Sequence, residues 1–145
     1  IAQHQDTAGP QQAAEEKGVF SVGYNTDMSK VAPKANLTSA VWNWGPFFVS
    51  QIKAIKDGTW TNKPYWGPMS DNVVALAPLT ANAPEGAQAL VDAEKTKILD
   101  GSWDVFNGPI KDQTGAVKVA EGSKMTDAEM LSFDWFVEGV IGKTK

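Results

Sequence analysis

From Pro10 to Ser29 the chain reads PQQAAEEKG, then VFSVG, then YNTDMS, with no residue between the three runs. Pro10 suits a first helical turn, strong helix formers follow it, Lys17 sits near the carboxyl end and Gly18 supplies a left-handed stop, so the first run predicts a short helix. Val19 to Gly23 is apolar, β-branched and of strand length, which predicts a strand, and the polar run after it predicts a loop. Helix, strand and polar loop in immediate succession define an α/β unit. In open α/β sheets, binding loops lie beyond the carboxyl ends of the strands, so the residues just past each strand are the first place to look for a site.

The rest of the chain extends this pattern. Ala35 to Val41 predicts a second strand that ends in Trp42-Asn43-Trp44, and Gly45-Pro46 opens a helix through Asp57 with Gly58 as its stop. Phe48, Ile52 and Ile55 recur at spacings of four and three and give that helix a core-facing stripe. Trp60 to Trp66, broken by Asn62 and Pro64, predicts a loop-rich strand, and Val73 to Ala77 a buried strand ending at Pro78. Pro84 starts the longest predicted helix, to about Asp100, with Gly101 stopping it. In GPIKDQTGAVKV, Asp112-Gln113-Thr114-Gly115 predicts a hairpin with Gly at the position of positive φ. Thr126-Asp127-Ala128-Glu129 is a capping box for a last short helix. Linkers are modest, near 61–72 and 78–83.

Composition removes several classes of function. The 145 residues, 42% hydrophobic and 21% charged, fit one globular unit able to bury a core. Without cysteine there is no disulfide framework, Cys-based zinc site or thiolate nucleophile. His4 is the single histidine, so a metal site of two or three imidazoles cannot be assembled within the chain, and no metal or cofactor is expected. All 13 basic residues are lysines, which leaves no guanidinium fork for two-point clamping of carboxylates or phosphates. The net charge of -4 argues against nucleic acid as a partner. A phosphate-cradling Gly loop, a nucleophile elbow, HExxH and a P-loop lysine are all absent from the sequence, which favours binding over catalysis. No window has the apolar length of a membrane span. The opening IAQHQDTAGP lacks an initiator Met and the layout of a signal peptide, and it passes from apolar to polar like the end of a strand. The expectation is a fragment or processed product, with any export signal or lipid anchor lying upstream.

Candidate site residues each carry two readings. His4, beside Gln3, Gln5 and Asp6, is either half of an oriented acid/base or ligand-holding pair, or a loop histidine that caps and solvates. Asn25 and Asp27 follow the first strand, where their short side chains can grip hydroxyls or ring N–H groups, and where turns also want them. Trp42 and Trp44, two apart on an extended backbone, point to the same face and either stack on a planar ligand or plug a core. Trp66-Gly67-Pro68-Met69-Ser70-Asp71 is either a wall or lid with apolar surface next to a carboxylate, or a packed loop. Trp60, Trp103 and Trp135 read as core residues, and Glu15, Glu16, Asp127 and Glu129 as helix-surface or capping acids. Asn36-Leu37-Thr38 fits the glycosylation pattern but lies in a predicted strand.

The ordered blocks QHQDTAGPQQAAEEKG, VGYNTDMSKVAPKANLTSAVWNWGPFF, DGTW, GPIKDQTGAVKVAEG and LSFDWFVEGVIG resemble the carboxyl-terminal part of the BMP family. These are solute-binding proteins of ABC transporters of the basic membrane lipoprotein or purine-nucleoside receptor type, and the resemblance spans essentially the whole chain. It implies part of a type I periplasmic-binding-protein fold, with two three-layer α/β/α lobes about a cleft and an amino-terminal half missing from this chain. By the same resemblance, residues 1–41 end lobe two, 42–66 cross the hinge and add a helix to lobe one, and 67–145 return to lobe two.

The family's loop reads Gly-x-Asp-x-Asp, its first acid gripping ribose; here Asn25 takes that place and Asp27 keeps the second. The segment resembling Thr-Ser-x-x-Lys reads Thr38-Ser39-Ala40-Val41-Trp42, so Trp42 replaces the lysine that helps to hold ribose. Both departures strike one subsite and shift the expected ligand from a nucleoside toward a purine base or a similar planar heterocycle. His4, Gln5 and Asp6 fall at the family's first cleft loop of lobe two. The resemblance further implies an ABC permease as partner, and a periplasmic location or a lipid anchor on the outer face of the cytoplasmic membrane. Two other classes stay open: an enzyme acting on nucleosides or sugars through Asp6 and His4, and a sensor or adhesion protein on the same fold.

Overall fold

Gly18 ends the first helix with φ of 63°, and the chain turns directly into the sheet. The computed structural model describes residues 1–143. It divides into two units, Ile1–Ala93 and Glu94–Lys145. The first contains helix α1 (Gly9–Glu16), strands β1 (Ser21–Asn25) and β2 (Asn36–Trp42), helix α2 (Trp44–Lys56), a 3-10 turn (Met69–Asp71) and strand β3 (Val74–Leu76). Helix α3 (Ala87–Leu99) contains the division between the units. The second unit holds the hairpin β4 (Ile110–Lys111) and β5 (Val117–Val119), then helix α4 (Asp127–Leu131).

The sheet of the first unit has the order β1-β2-β3, with β1 parallel to β2 and β3 antiparallel to β2. Ala2 bridges Val22 in parallel, so the opening residues do lie along the sheet as a strand end. Because β1 and β2 are parallel, their carboxyl ends reach the same edge, where Asn25 pairs with Val41 next to Trp42.

The interior of this unit is small and polar. Ala14, Ala32 and Ala35 form the apolar cluster, while the largest fully buried side chains are Gln11, Asn36, Ser21 and Ser39. Gln11 unites them. Its Nε2 donates to Gln3 Oε1 (2.8 Å) and to the Val22 carbonyl (3.1 Å), and its Oε1 accepts from Ser21 Oγ (2.7 Å) and Asn36 Nδ2 (2.9 Å). One α1 side chain thus joins β1, β2 and the amino-terminal segment. Ser39 Oγ accepts from the Met28 amide, and Gly23 lies so close that a Cβ there would collide with Ser39 Oγ and the Met28 side chain. Asn36 is fully buried with its amide engaged, which excludes the glycosylation reading in this fold.

The predicted order of elements holds, with local differences. The first strand begins at Ser21 rather than Val19, because the Val19 amide closes the end of α1 on the Ala14 carbonyl; Val19 and Phe20 stay exposed, and the strand runs on to Asn25. Residues 59–68 form no strand: Pro64 and Pro68 lack the donors a ladder needs. Val73 and Ala77 are buried as expected, but Leu76 between them is exposed on the edge strand. Helices α2 and α3 are equal at 13 residues, since α3 begins only after Gly86. The α2 stripe does not face a core within this chain: Phe48, Ile52 and Ile55 are 57%, 59% and 62% exposed, because no described element covers them. Trp60 and Trp103 are likewise exposed rather than core, whereas Trp135 is half-buried against Phe133 at 4.2 Å. In the second unit Asp112 Oδ1 accepts from the Thr114 hydroxyl and from the Thr114 and Ala116 amides, which builds the expected turn around Gly115 (φ 85°). The capping box of Thr126 and Glu129 starts α4 as expected.

Replacing Gln11 by Met keeps the length of the side chain and removes all four of its hydrogen bonds. Partners buried without replacement cost about 1–3 kcal/mol each at most, and relaxation recovers part of that, so the expected loss is about 3 kcal/mol. A shift in the urea midpoint of the full-length protein measures it. A midpoint within error of the parent's would show that the network does not hold this unit.

Candidate functional site

At the shared edge of β1 and β2 the hydrogen bonds run in one direction. Trp42 Nε1 donates to Asn25 Oδ1 (2.7 Å), and Asn25 Nδ2 donates to Asp6 Oδ1 (2.8 Å). Asn25 takes a left-handed φ of 69° at the end of β1, a conformation that Asn tolerates better than most residues and that ordinarily marks a turn or a site under constraint. The amide uses both its ends, which fixes the plane of the indole while 37% of Trp42 remains exposed.

An aromatic row passes through the same edge. His4 lies 4.6 Å from Tyr24, Tyr24 meets Trp42 edge-on at 6.2 Å, and Trp42 stacks on Trp44 at 5.8 Å with 26° between the planes. Trp44 then meets Phe47 at 5.9 Å, and Phe47 meets Tyr65 at 4.7 Å. The two tryptophans thus stack as expected, although Trp44 opens α2 instead of continuing the extended backbone of β2. Trp42, Trp44, Tyr65, Trp66, Gly67, Val73 and Val74 line a pocket of about 330 Å³. That volume lies at the small end of the range of roughly 300–1,000 Å³ usual for small-molecule sites. A depression of about 420 Å³ along Val49, Ile52, Lys53, Lys56 and Asp57 is larger, but it lies along α2 and its end and brings no separate elements together.

The structure thus gathers His4, Asp6, Asn25, Trp42, Trp44 and Trp66 into one hydrogen-bonded chain, aromatic row and pocket. Gln5 and Asp27 serve local turns. Gln5 Oε1 accepts from the Thr7 amide and hydroxyl, and Asp27 Oδ1 accepts from the Ser29 amide at 2.9 Å. The Ser29 hydrogen bonds hold the Asp27 carboxyl below its ordinary range. Asp6 bonds Asn25 rather than His4, so the two are not joined as an acid/base pair. Gly67 of the candidate wall loop does line the pocket, whereas sequence reasoning missed Tyr24, Phe47, Tyr65, Val73 and Val74. Tyr24 and Tyr65 adjoin residues already singled out, whereas Val73 and Val74 reach the pocket only through the pairing of β3 with β2. Tyr65 Oη donates to Asp71 Oδ2 (2.8 Å), and its phenol is pushed above its ordinary pKa by partial desolvation, by that hydrogen bond and by the Asp71 charge. Among the described residues, no group of three or more His, Cys, Asp or Glu is placed to hold a metal ion.

Residues 1–103 match the family of PnrA-like ABC transporter substrate-binding proteins, and the chain belongs to that family. It is 36% identical over 143 residues to a purine-binding protein of Brucella abortus, covering 99% of this chain and 41% of the relative. It is 30% identical over 143 residues to a Haloferax volcanii protein provisionally named an ABC transporter glucose-binding protein, covering 99% and 34%. The chain thus spans well under half the length of these curated relatives.

Among solved structures it is similar to an ABC transporter system solute-binding protein from Conexibacter woesei, with a TM-score of 0.54, 25% identity, and 72% and 36% of the two chains covered. In fold it is also similar to a transcriptional activator of the comK gene from Bacillus halodurans, with a TM-score of 0.53, 24% identity, and 65% and 34% covered. The α/β architecture is part of the type I periplasmic-binding-protein fold, in a family of solute-binding proteins. No described helix is long and apolar enough to cross a membrane.

Asn25→Asp sets a second carboxylate where the amide now donates 2.8 Å to Asp6. Two carboxylates that close share a proton, which raises an apparent pKa of the pair above the ordinary value of about 3.9. A carboxyl raised on folding is stabilising below its unfolded pKa, and that contribution fades as pH rises through the folded one. The variant should match the parent near pH 4 and melt progressively lower toward pH 7; parallel melting curves across that range would exclude the contact.

Proposed function

We propose that the full-length protein carrying this chain is an extracytoplasmic solute-binding subunit of an ABC importer, which holds a purine base or a similar planar ligand without altering it and hands it to a membrane permease. The observation that carries this reading is the half-exposed Trp42 indole locked by Asn25 at the rim of an aromatic pocket. A fixed aromatic plane stacks on a flat heterocycle with little loss of its own conformational freedom. Asn25 and Trp42, standing where the family pattern has an acid and a lysine, are spent on each other, so neither is a free clamp for ribose. This favours the base over the nucleoside. The purine-binding relative supports the same choice.

The reading includes an interlobe cleft. Residues 42–66 would cross the hinge and lay α2 on lobe one, with 1–41 and 67–145 in lobe two and the remainder of the protein supplying most of lobe one. The exposed apolar face of α2 supports such a cover. With a resolved pair of indole platforms and no hydrogen bond joining Asp6 to His4, holding a ligand fits the geometry better than proton-transfer chemistry.

Isothermal titration of the full-length protein against adenine, guanine, hypoxanthine, adenosine and glucose tests the reading. A free base should bind most tightly. Silence with every purine would end it, and binding of glucose alone would replace it with a sugar receptor. Loss of base stacking is worth about 1–3 kcal/mol, so Trp42→Ala should weaken the base about fivefold or more. Unchanged affinity would remove Trp42 from the site.

A further inference from the structure

Trp66 and Gly67 form part of the pocket, yet they lie in a stretch with no strand or helix to hold it. Within residues 61–72, the described side chains make one hydrogen bond, from Tyr65 Oη to Asp71 Oδ2 at 2.8 Å. It closes a loop whose far end is a tight turn, with the Asp71 amide donating to Pro68 O and the Asn72 amide to Met69 O. Gly67 sits inside this closure. A Cβ there would strike the Tyr65 hydroxyl and ring and the Asp71 carboxylate, so a larger residue has to push these two side chains aside. The loop is anchored at both ends: the Tyr65 ring packs 4.7 Å from Phe47 on α2, and the Val73 carbonyl accepts from the Asn43 amide at 2.7 Å.

We propose that Tyr65 and Asp71 are positioning residues that latch residues 65–71 shut and hold Trp66 as a fixed wall of the pocket, so that the latch sets the width of ring the site admits. This rests on the purine reading for the identity of the ligand, though the latch itself does not. A fixed wall suits a flat, unsubstituted ring, and releasing it weakens a base while relaxing discrimination against the bulkier nucleoside. The latch also engages the Asp71 carboxylate, the acid of this loop, through the Tyr65 hydroxyl.

Two measurements on the full-length protein separate the latch from the ligand reading. Acrylamide quenching of the Trp66 emission, taken by difference from Trp66→Phe, should rise in Tyr65→Phe and Asp71→Ala. It should stay near the parent's in Asp71→Asn, whose amide oxygen can still accept. In titrations with adenine and adenosine, Tyr65→Phe and Asp71→Ala should weaken adenine about five- to tenfold, as expected for one lost hydrogen bond, and should weaken adenosine less. Asp71→Asn should restore adenine to within about twofold. Tyr65→Phe keeps the ring on Phe47 and guards against a folding defect. Quenching unchanged in Tyr65→Phe and Asp71→Ala overturns the latch, as does a loss in Asp71→Asn as deep as in Asp71→Ala. If the parent binds no purine, the ligand reading falls, and the quenching result alone decides the latch.

Discussion

The first unit is organised around the amide of Gln11. Its two donors and its accepting oxygen reach Gln3, Val22, Ser21 and Asn36, and so fasten α1, both parallel strands and the opening segment to one another. A buried amide is stable only if nearly every polar atom around it is paired, so its geometry tolerates few alternatives. The apolar cluster of the unit is three alanines, with Met28, Val73 and Ala77 also buried, a small surface for specifying where the strands lie. The directional hydrogen bonds supply that specificity. Through them the position of Gln3 is set, and with it the path by which Asp6 reaches Asn25.

The candidate site is a consequence of this arrangement. Parallel pairing of β1 and β2 brings Asn25 and Trp42 to one edge, and the left-handed turn at Asn25 aims its amide between Asp6 and the indole. β3 then adds its antiparallel register, which places Val74 opposite Trp42 and closes one side of the pocket. The loop of residues 65–71 contributes no ladder, only a tyrosine, an aspartate and a glycine that leaves room for their bond. A rigid strand edge and a side-chain-closed loop therefore share one small cavity.

Local chemistry made much of this legible. Gly18, Gly58, Gly101 and Gly115 all adopt the positive φ that their places in the sequence require, and the Thr126 box caps a helix, because each depends on residues a few positions apart. Trp42 and Trp44 do stack, but not through the two-residue period of a strand, because β2 ends at Trp42 and Trp44 is the first residue of α2. Burial was less legible. Phe48, Ile52 and Ile55 have the period of a packed helix face, but periodicity reports only that a helix has an apolar side, not whether this chain supplies its cover. Gln11 gave no signal at all, since a glutamine in a helix is ordinarily a surface residue.

The sequence by itself determined the alternation of helix and strand, the turns, the polar loop past β1, and the membership in a solute-binding family that the ordered motifs announced. These depend on backbone preference and short spacing. Only the tertiary structure decided that Asn25 is committed to Trp42 and Asp6, that Asp27 and Gln5 are spent on turns, and that Tyr65 is joined to Asp71. A short polar side chain has several partners within reach in any extended chain. Which one it takes is settled by the register of strands and the closure of loops, through contacts between residues distant in sequence.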